Sequence, residues 1–245
     1  MTKYLFNPEK LPMLLVINPT SGIQIDLEDC RMEAFRIMHY TIGSRAVAKA
    51  IAEEKVRKLK LPWRKLDGFE KGNQLQKLMY NYVEVEVQRV LLLLAINIRN
   101  LDDAALQENR AGPMVGIGRR AEERIEKIKE ELRVISRTRS GFIASGVEGE
   151  GGSCRTVTLS LREVCNKVIH VEDMHFHGSS ESAVETDLVG VGFISQYVHL
   201  TGSRNSIPWN VSLDLLNFLS CACAYFDKYE ELQAIWNRNN PFRSK

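Results

Sequence analysis

The segment Ser160–His170 spaces an arginine, an amide and an imidazole, Arg162, Asn166 and His170, at four-residue intervals. That spacing stacks side chains along one side of an α-helix, so all three can meet one ligand. An imidazole moves protons at neutral pH and an arginine steadies phosphate charge, a combination suited to metal-independent RNA cleavage. The opposite side carries Leu161, Val164, Cys165, Val168 and Ile169, an apolar stripe that docks the helix and leaves the polar one toward solvent or a groove. Ser160-x-x-Glu163 is a capping box, which sets the helix start and so the phase of both stripes. A plain solvated face carries the same residue types, so the pattern alone leaves catalysis and surface polarity open.

A second cluster follows at once. His175 and His177, two apart, point the same way from a strand, and Glu172 or Asp173 can add an oxygen ligand. No further His or Cys pair completes a structural zinc pattern, so neither a metal site nor a cofactor is predicted. Trp209 and Tyr197 have the ring faces to stack bases, but fit equally well as anchors of a sheet against a helix. Basic residues crowd at Lys55, Arg57, Lys58, Lys60, Arg64 and Lys65 around Trp63, and again at Arg133, Arg137 and Arg139. Such groups can grip a phosphate backbone or simply sit at helix ends. Cys221 and Cys223 lie one residue apart in an apolar helix, on different sides of it, and read as packing cysteines.

The elements that must hold these residues are mostly helical. A short apolar run, Met13–Ile17, ends in turn residues and lacks the glycine and lysine spacing of a phosphate loop. Asp26 is a plausible N-cap for a first helix with Met32, Phe35, Ile37 and Met38 near its apolar face; a second helix is expected from about Ser44 to Leu61-Pro62. From Gln74 to about Asn100 a long helix is predicted, apolar on nearly every face over Val90–Ile96 and hence central. Arg119–Arg133 is a charged helix with a narrow seam of Ile125, Ile128 and Leu132, expected at the surface or projecting. The glycines between 140 and 153 predict a flexible connection. Beyond it come the capped helix, strands at 171–176, 194–200 and 209–211, a turn over 201–208, and a last helix from Ser212. The predicted fold is mainly α, of the α+β class: a helical bundle with a small C-terminal antiparallel sheet or hairpin, with regions 1–140 and 153–245 packed as one domain.

Composition excludes several classes. The 245 residues, 44% hydrophobic and 26% charged, match an ordinary globular chain. A net charge of only +2 means that any nucleic-acid contact needs a local basic face. Five cysteines form no disulfide framework, and no secretory signal or membrane span is visible, so the cytoplasm is expected.

The long helix ending Ile98-Arg99-Asn100-Leu101-Asp102-Asp103, followed by Leu161-Arg162-Glu163 and Asn166-Lys167-x-Ile169-His170, resembles the HEPN superfamily of bacterial helical proteins. The resemblance spans residues 74–175, and Arg162 and His170 stand for the family's arginine and histidine at a longer spacing than its own. It implies a helical bundle, a homodimer with one composite groove, and RNA cleavage in a defence or toxin setting. In that reading His170 is the acid or base, Arg162 steadies phosphate and Asn166 orients substrate. From a different class comes a non-catalytic assembly subunit that binds a partner protein through the charged helix Arg119–Arg133.

Overall fold

The computed structural model describes residues 15–17, 24–59, 74–107, 118–149, 154–176 and 194–239. Within them a strand pair, β1 (Leu15–Ile17) and β2 (Gln24–Asp26), leads into α1 (Leu27–Leu59), α2 (Gln74–Gln107) and α3 (Arg119–Arg137). There follow β3 (Ala144–Glu148), β4 (Arg155–Thr158), α4 (Leu161–Ile169), β5 (Asp173–Phe176), β6 (Tyr197–Arg204), β7 (Ile207–Asp214) and α5 (Leu215–Asn239). The mainly α, α+β class is as predicted.

Asp26 does cap α1: its Oδ1 accepts from the backbone N–H of Glu28 at 2.8 Å. Where two helices were predicted, α1 is one helix of 33 residues running through Gly43, which costs helix stability without ending the helix. Its inward residues are Leu27, Cys30, Ala34, Ile37 and Thr41, and of the apolar residues predicted inside only Ile37 is buried. Met32, Phe35 and Met38 are exposed, because the inward stripe is set by the packing of α1 on α2 and α5. The central helix is α2, with Val87, Val90, Leu91, Leu94, Ile98 and Leu101 all buried. The charged helix α3 does not project. Its narrow seam, Ile125, Ile128 and Leu132, is buried where α3 packs on α5, while most of its other residues lie at the surface as expected.

The glycine-rich stretch predicted as a flexible connection contains β3, an inner strand of a five-stranded antiparallel sheet ordered β4-β3-β7-β6-β5. Gly146 marks close approach there: a Cβ would lie 2.1 Å from the Asn210 carbonyl oxygen on β7. The predicted hairpin exists, but its turn is only Asn205-Ser206, both at positive φ, so β6 and β7 extend through the expected loop and Arg204 faces Ile207. Ser212 therefore lies inside β7. The cap of α5 is Asp214, whose Oδ1 accepts from the Asn217 N–H at 3.0 Å.

Burial alternates along β6 and β7, so one sheet face, with Val198, Leu200, Trp209, Val211 and Leu213, joins the core that all five helices share. The other face, with Ser145, Ser212, His199 and His175 in register across four strands, is exposed or half-buried. No helix among the described residues is long and apolar enough to cross a membrane.

Gly202 in β6 lies under Trp209 and beside the end of α4: a Cβ there would sit 2.4 Å from the indole Cζ2 and 3.1 Å from the His170 carbonyl oxygen. Gly202→Ala is expected to destabilise the fold by about 1–3 kcal/mol in urea unfolding through overpacking. Gly43→Ala, with nothing within 4 Å of the added methyl, should instead stabilise it by about 0.5–1 kcal/mol.

Candidate functional site

Helix α4 begins where the capping box requires. The Ser160 hydroxyl accepts from the Glu163 N–H, and Glu163 Oε2 accepts from the Ser160 N–H at 2.9 Å. With the start set, Leu161, Val164, Cys165 and Val168 enter the core, and burial pushes the Cys165 thiol up to about 12. The polar stripe then divides in a way its spacing did not reveal.

Arg162 is not on a wet face. Its side chain is 20% exposed, with one guanidinium nitrogen on the Asp102 carboxylate and the other 2.7 Å from Asp103 Oδ1, both on α2. Asp102 is buried, and the Tyr225 hydroxyl of α5 lies 3.5 Å from its Oδ1. Burial and the like charge of Arg99 push the Arg162 guanidinium down, though an arginine stays charged through such shifts. Asp103 also accepts from Arg99 Nη1 at 2.6 Å, and Arg99 Nε donates to Asn166 Oδ1 at 2.8 Å. The chain Tyr225, Asp102, Arg162, Asp103, Arg99, Asn166 thus runs through three helices. Arg162, assigned above to the substrate's phosphate, is a structural tie between α4 and α2.

Asn166 and His170 do reach a cleft. They line a groove of about 790 Å³, floored by residues 155–159 along the outer edge of β4 and bordered by Arg99, Arg139 and Arg204. A second hollow of about 700 Å³ continues it along the β6–β7 turn, sharing Glu148, Arg155, Lys167, Arg204 and Trp209. Because β4 is the terminal strand of the sheet, Thr156 and Thr158 direct their backbone groups away from β3 into this groove. His170, the C-cap of α4, is exposed.

The groove's charges are interlocked. Glu148 takes Lys167 Nζ at 2.7 Å and Arg155 Nη2 at 2.8 Å, and these hydrogen bonds, that of Lys167 first, hold its carboxyl below the usual range. Lys167 also lies 4.3 Å over the Trp209 ring, a cation–π contact that buries the indole and leaves it no face for a base. Burial would raise Glu163, but bonds from Arg139, at 2.6 Å, and from Ser160 outweigh it and lower its carboxyl. Arg204 lines the groove and pairs with no carboxylate among the described residues.

The remaining predicted residues lie elsewhere. His175 and Asp173 are on β5 with His175 Nε2 2.6 Å from Asp173 Oδ2, whereas His177 lies outside the described residues. Tyr197 is half-exposed on the far face of the sheet. Of the first basic cluster, Lys55, Arg57 and Lys58 are on α1, while Lys60, Trp63, Arg64 and Lys65 lie outside the described residues. Cys221 and Cys223 are half-buried, unpaired residues of α5. Sequence reasoning missed Arg99, Arg155, Lys167 and Arg204 as groove residues. Only the Leu161–Ile169 periodicity, which sets Lys167 beside Asn166, pointed toward any of them.

Compared with family models, curated proteins and solved structures, the chain matches none.

Arg162→Ala should lower stability by about 3 kcal/mol, because it leaves Asp102 buried and unpaired. Arg162→Lys should recover little of it, since a lysine cannot bridge two carboxylates with one planar fork. Chemical denaturation checks both, and a catalytic arginine without a structural role would leave the midpoint unmoved. The lowered Glu148 carboxyl adds stability that is present above its ordinary value near 4.5 and lost as pH falls through the depressed folded value. Glu148→Gln should therefore flatten the acid limb of the stability–pH curve below about pH 4.5.

Proposed function

We propose that the protein binds RNA along the groove between α4, the open edge of β4 and the β6–β7 turn. One observation carries this reading. Five cations, Arg99, Arg139, Arg155, Lys167 and Arg204, converge with His170 on a single concavity whose described lining includes two carboxylates, Glu148 and Glu163. On a chain of net charge +2 the described lining of the groove is locally basic, even with Arg99 held by Asp103, and such a face is the footprint of a polyanion site. Backbone N–H groups of Thr156 and Thr158 add neutral donors for phosphate oxygens. With Trp209 covered by Lys167, affinity comes from the backbone more than from base stacking.

The HEPN-like resemblance supports a bacterial defence or toxin setting for this binding, and the five free cysteines suit a reducing cytoplasm. Where cleavage accompanies binding, His170 is the acid or base. It takes the proton of a ribose 2′-hydroxyl, which attacks the adjacent phosphorus as the 5′-oxygen leaves with a proton from water. Arg99, which reaches the groove, replaces Arg162 as the phosphate-side arginine, and Asn166 orients it.

A second reading has its own observation. Met32, Phe35 and Ile42 on α1 lie three and seven residues apart on the exposed side, a stripe fit for a partner protein or a second copy in an assembly subunit.

Fluorescence anisotropy with labelled single-stranded RNA in EDTA tests the first reading. The wild type is expected to bind at low salt and weaken steeply as salt rises. Arg204→Glu should lose about tenfold in affinity while keeping the fold, and Glu148→Gln should gain affinity by freeing Lys167 and Arg155. His170→Ala should still bind, with any cleavage products gone. Absence of binding at low salt, or indifference to Arg204→Glu, overturns the RNA reading in favour of the second.

A further inference from the structure

We propose that the RNA held in the groove is single-stranded and places one unpaired base in a hollow at the end of the sheet, stacked on Phe142. This rests on the reading of the groove as an RNA site and adds to it the class of RNA and the residue that selects it. At 80% exposure Phe142 is the most exposed large apolar side chain among the described residues. Its backbone is nonetheless fixed on both sides in the turn between α3 and β3. The Phe142 N–H donates to the Ser140 hydroxyl at 3.2 Å, and its carbonyl accepts from Asn217 Nδ2 on α5 at 2.9 Å. Asp214 holds Asn217 in turn, accepting from the same amide at 3.0 Å and from Gln196 Nε2 at 2.8 Å. A ring on an anchored backbone loses little freedom when something stacks on it, so Phe142 is a preorganised platform.

The ring borders a hollow of about 250 Å³ whose wall also includes Tyr197, Ser145, Ser212, Asp214 and Asn217. Sites for drug-sized ligands begin at about 300 Å³, so this one suits a single planar ring system. Tyr197, half-exposed, supplies a second aromatic face. The hydroxyls of Ser145 and Ser212, opposed in register on β3 and β7, both donate and accept, and so pair with base edges without choosing among bases. Among the described lining residues only Asp214 is charged, so a phosphate is disfavoured here and the amino group of a base is not.

Position decides the occupant. Thr158 lines the groove and pairs with Ser145, which lines the hollow. A Cβ on Gly141, in the wall of the hollow, would lie 3.7 Å from Thr158 Cγ2. Arg139 of the groove and Phe142 of the hollow are three residues apart, so at most about 11 Å separates their backbones. Cations for the backbone thus adjoin an uncovered aromatic ring without cations, the combination by which single strands are held irrespective of sequence. A duplex keeps its bases paired and stacked inside and offers the ring nothing. Trp209, covered by Lys167, cannot take this part.

The test uses the full chain, a labelled single-stranded RNA, and the same strand annealed to its complement, in EDTA at low salt. Anisotropy should show the single strand bound about tenfold more tightly than the duplex. Phe142→Ala should weaken the single strand about tenfold and leave duplex affinity and the salt dependence unchanged, because the ring touches no phosphate. Phe142→Leu should not restore the loss. Phe142→Trp should restore it, and should add tryptophan quenching by the single strand beyond that of the wild type. Circular dichroism checks that each variant keeps the fold. Salt-dependent binding that is indifferent to Phe142→Ala, or that takes duplex as tightly as single strand, overturns this proposal and leaves the groove reading standing. Absence of binding to either RNA overturns the groove reading, and this one with it.

Discussion

The Arg162 guanidinium, held between Asp102 and Asp103, decides how α4 sits in the molecule. Helix α4 is only nine residues long, too short to be stable alone, so its position comes from what it packs against. Its apolar stripe would allow some rotation about the helix axis, since aliphatic contacts are forgiving. A bidentate ion pair to two adjacent carboxylates on α2 is not. Asp102 is buried, and removing its partner would leave a charge without solvent, so the pairing selects one rotation of α4. That rotation directs Asn166, Lys167 and His170 toward β4 and the β6–β7 turn. The groove is a consequence of the tie behind it.

The same tie explains why the polar stripe was misread. Periodicity separates apolar from polar residues, and it did so correctly for Leu161, Val164, Cys165 and Val168. It does not distinguish a polar residue facing water from one facing a buried partner. The partners of Arg162 are about sixty residues upstream, on a helix whose end was placed near Asn100, just short of Asp102 and Asp103. Local rules therefore located the helix and its cap but not the meaning of its first arginine. The capping box was legible because both of its members lie within four residues.

Glycine carried two opposite meanings. Its density between 140 and 153 suggested flexibility, yet Gly146 is in an inner strand because a side chain would strike the backbone of β7. Such contacts depend on strand order, and β3 pairs with β7 across more than sixty residues. The β6–β7 turn was hidden for a related reason: Asn205-Ser206 makes a two-residue turn at positive φ without the glycine that usually announces one. The groove's cations come from α2, α4, β4, β6 and the segment after α3, each contributing one, so no run of basic residues marks the site.

The five-stranded sheet keeps its two faces chemically separate. The inner face supports the groove through Gly202 and Trp209, where the indole lies flat under Lys167 and holds that ammonium beside Glu148. The outer face carries the opposed His175 and His199. Strand β6 takes part in both, since Gly202 and His199 are three residues apart and so point to opposite sides. The two faces therefore share the β6 backbone without sharing side chains. Helix α2 covers the β5 edge of the sheet, where Gln88 Nε2 donates to the Met174 carbonyl at 3.2 Å, while the groove stays open on the side of α4. Within the protein one face acts on the other through the pairing of β6, and that pairing is continuous from Tyr197 to Arg204.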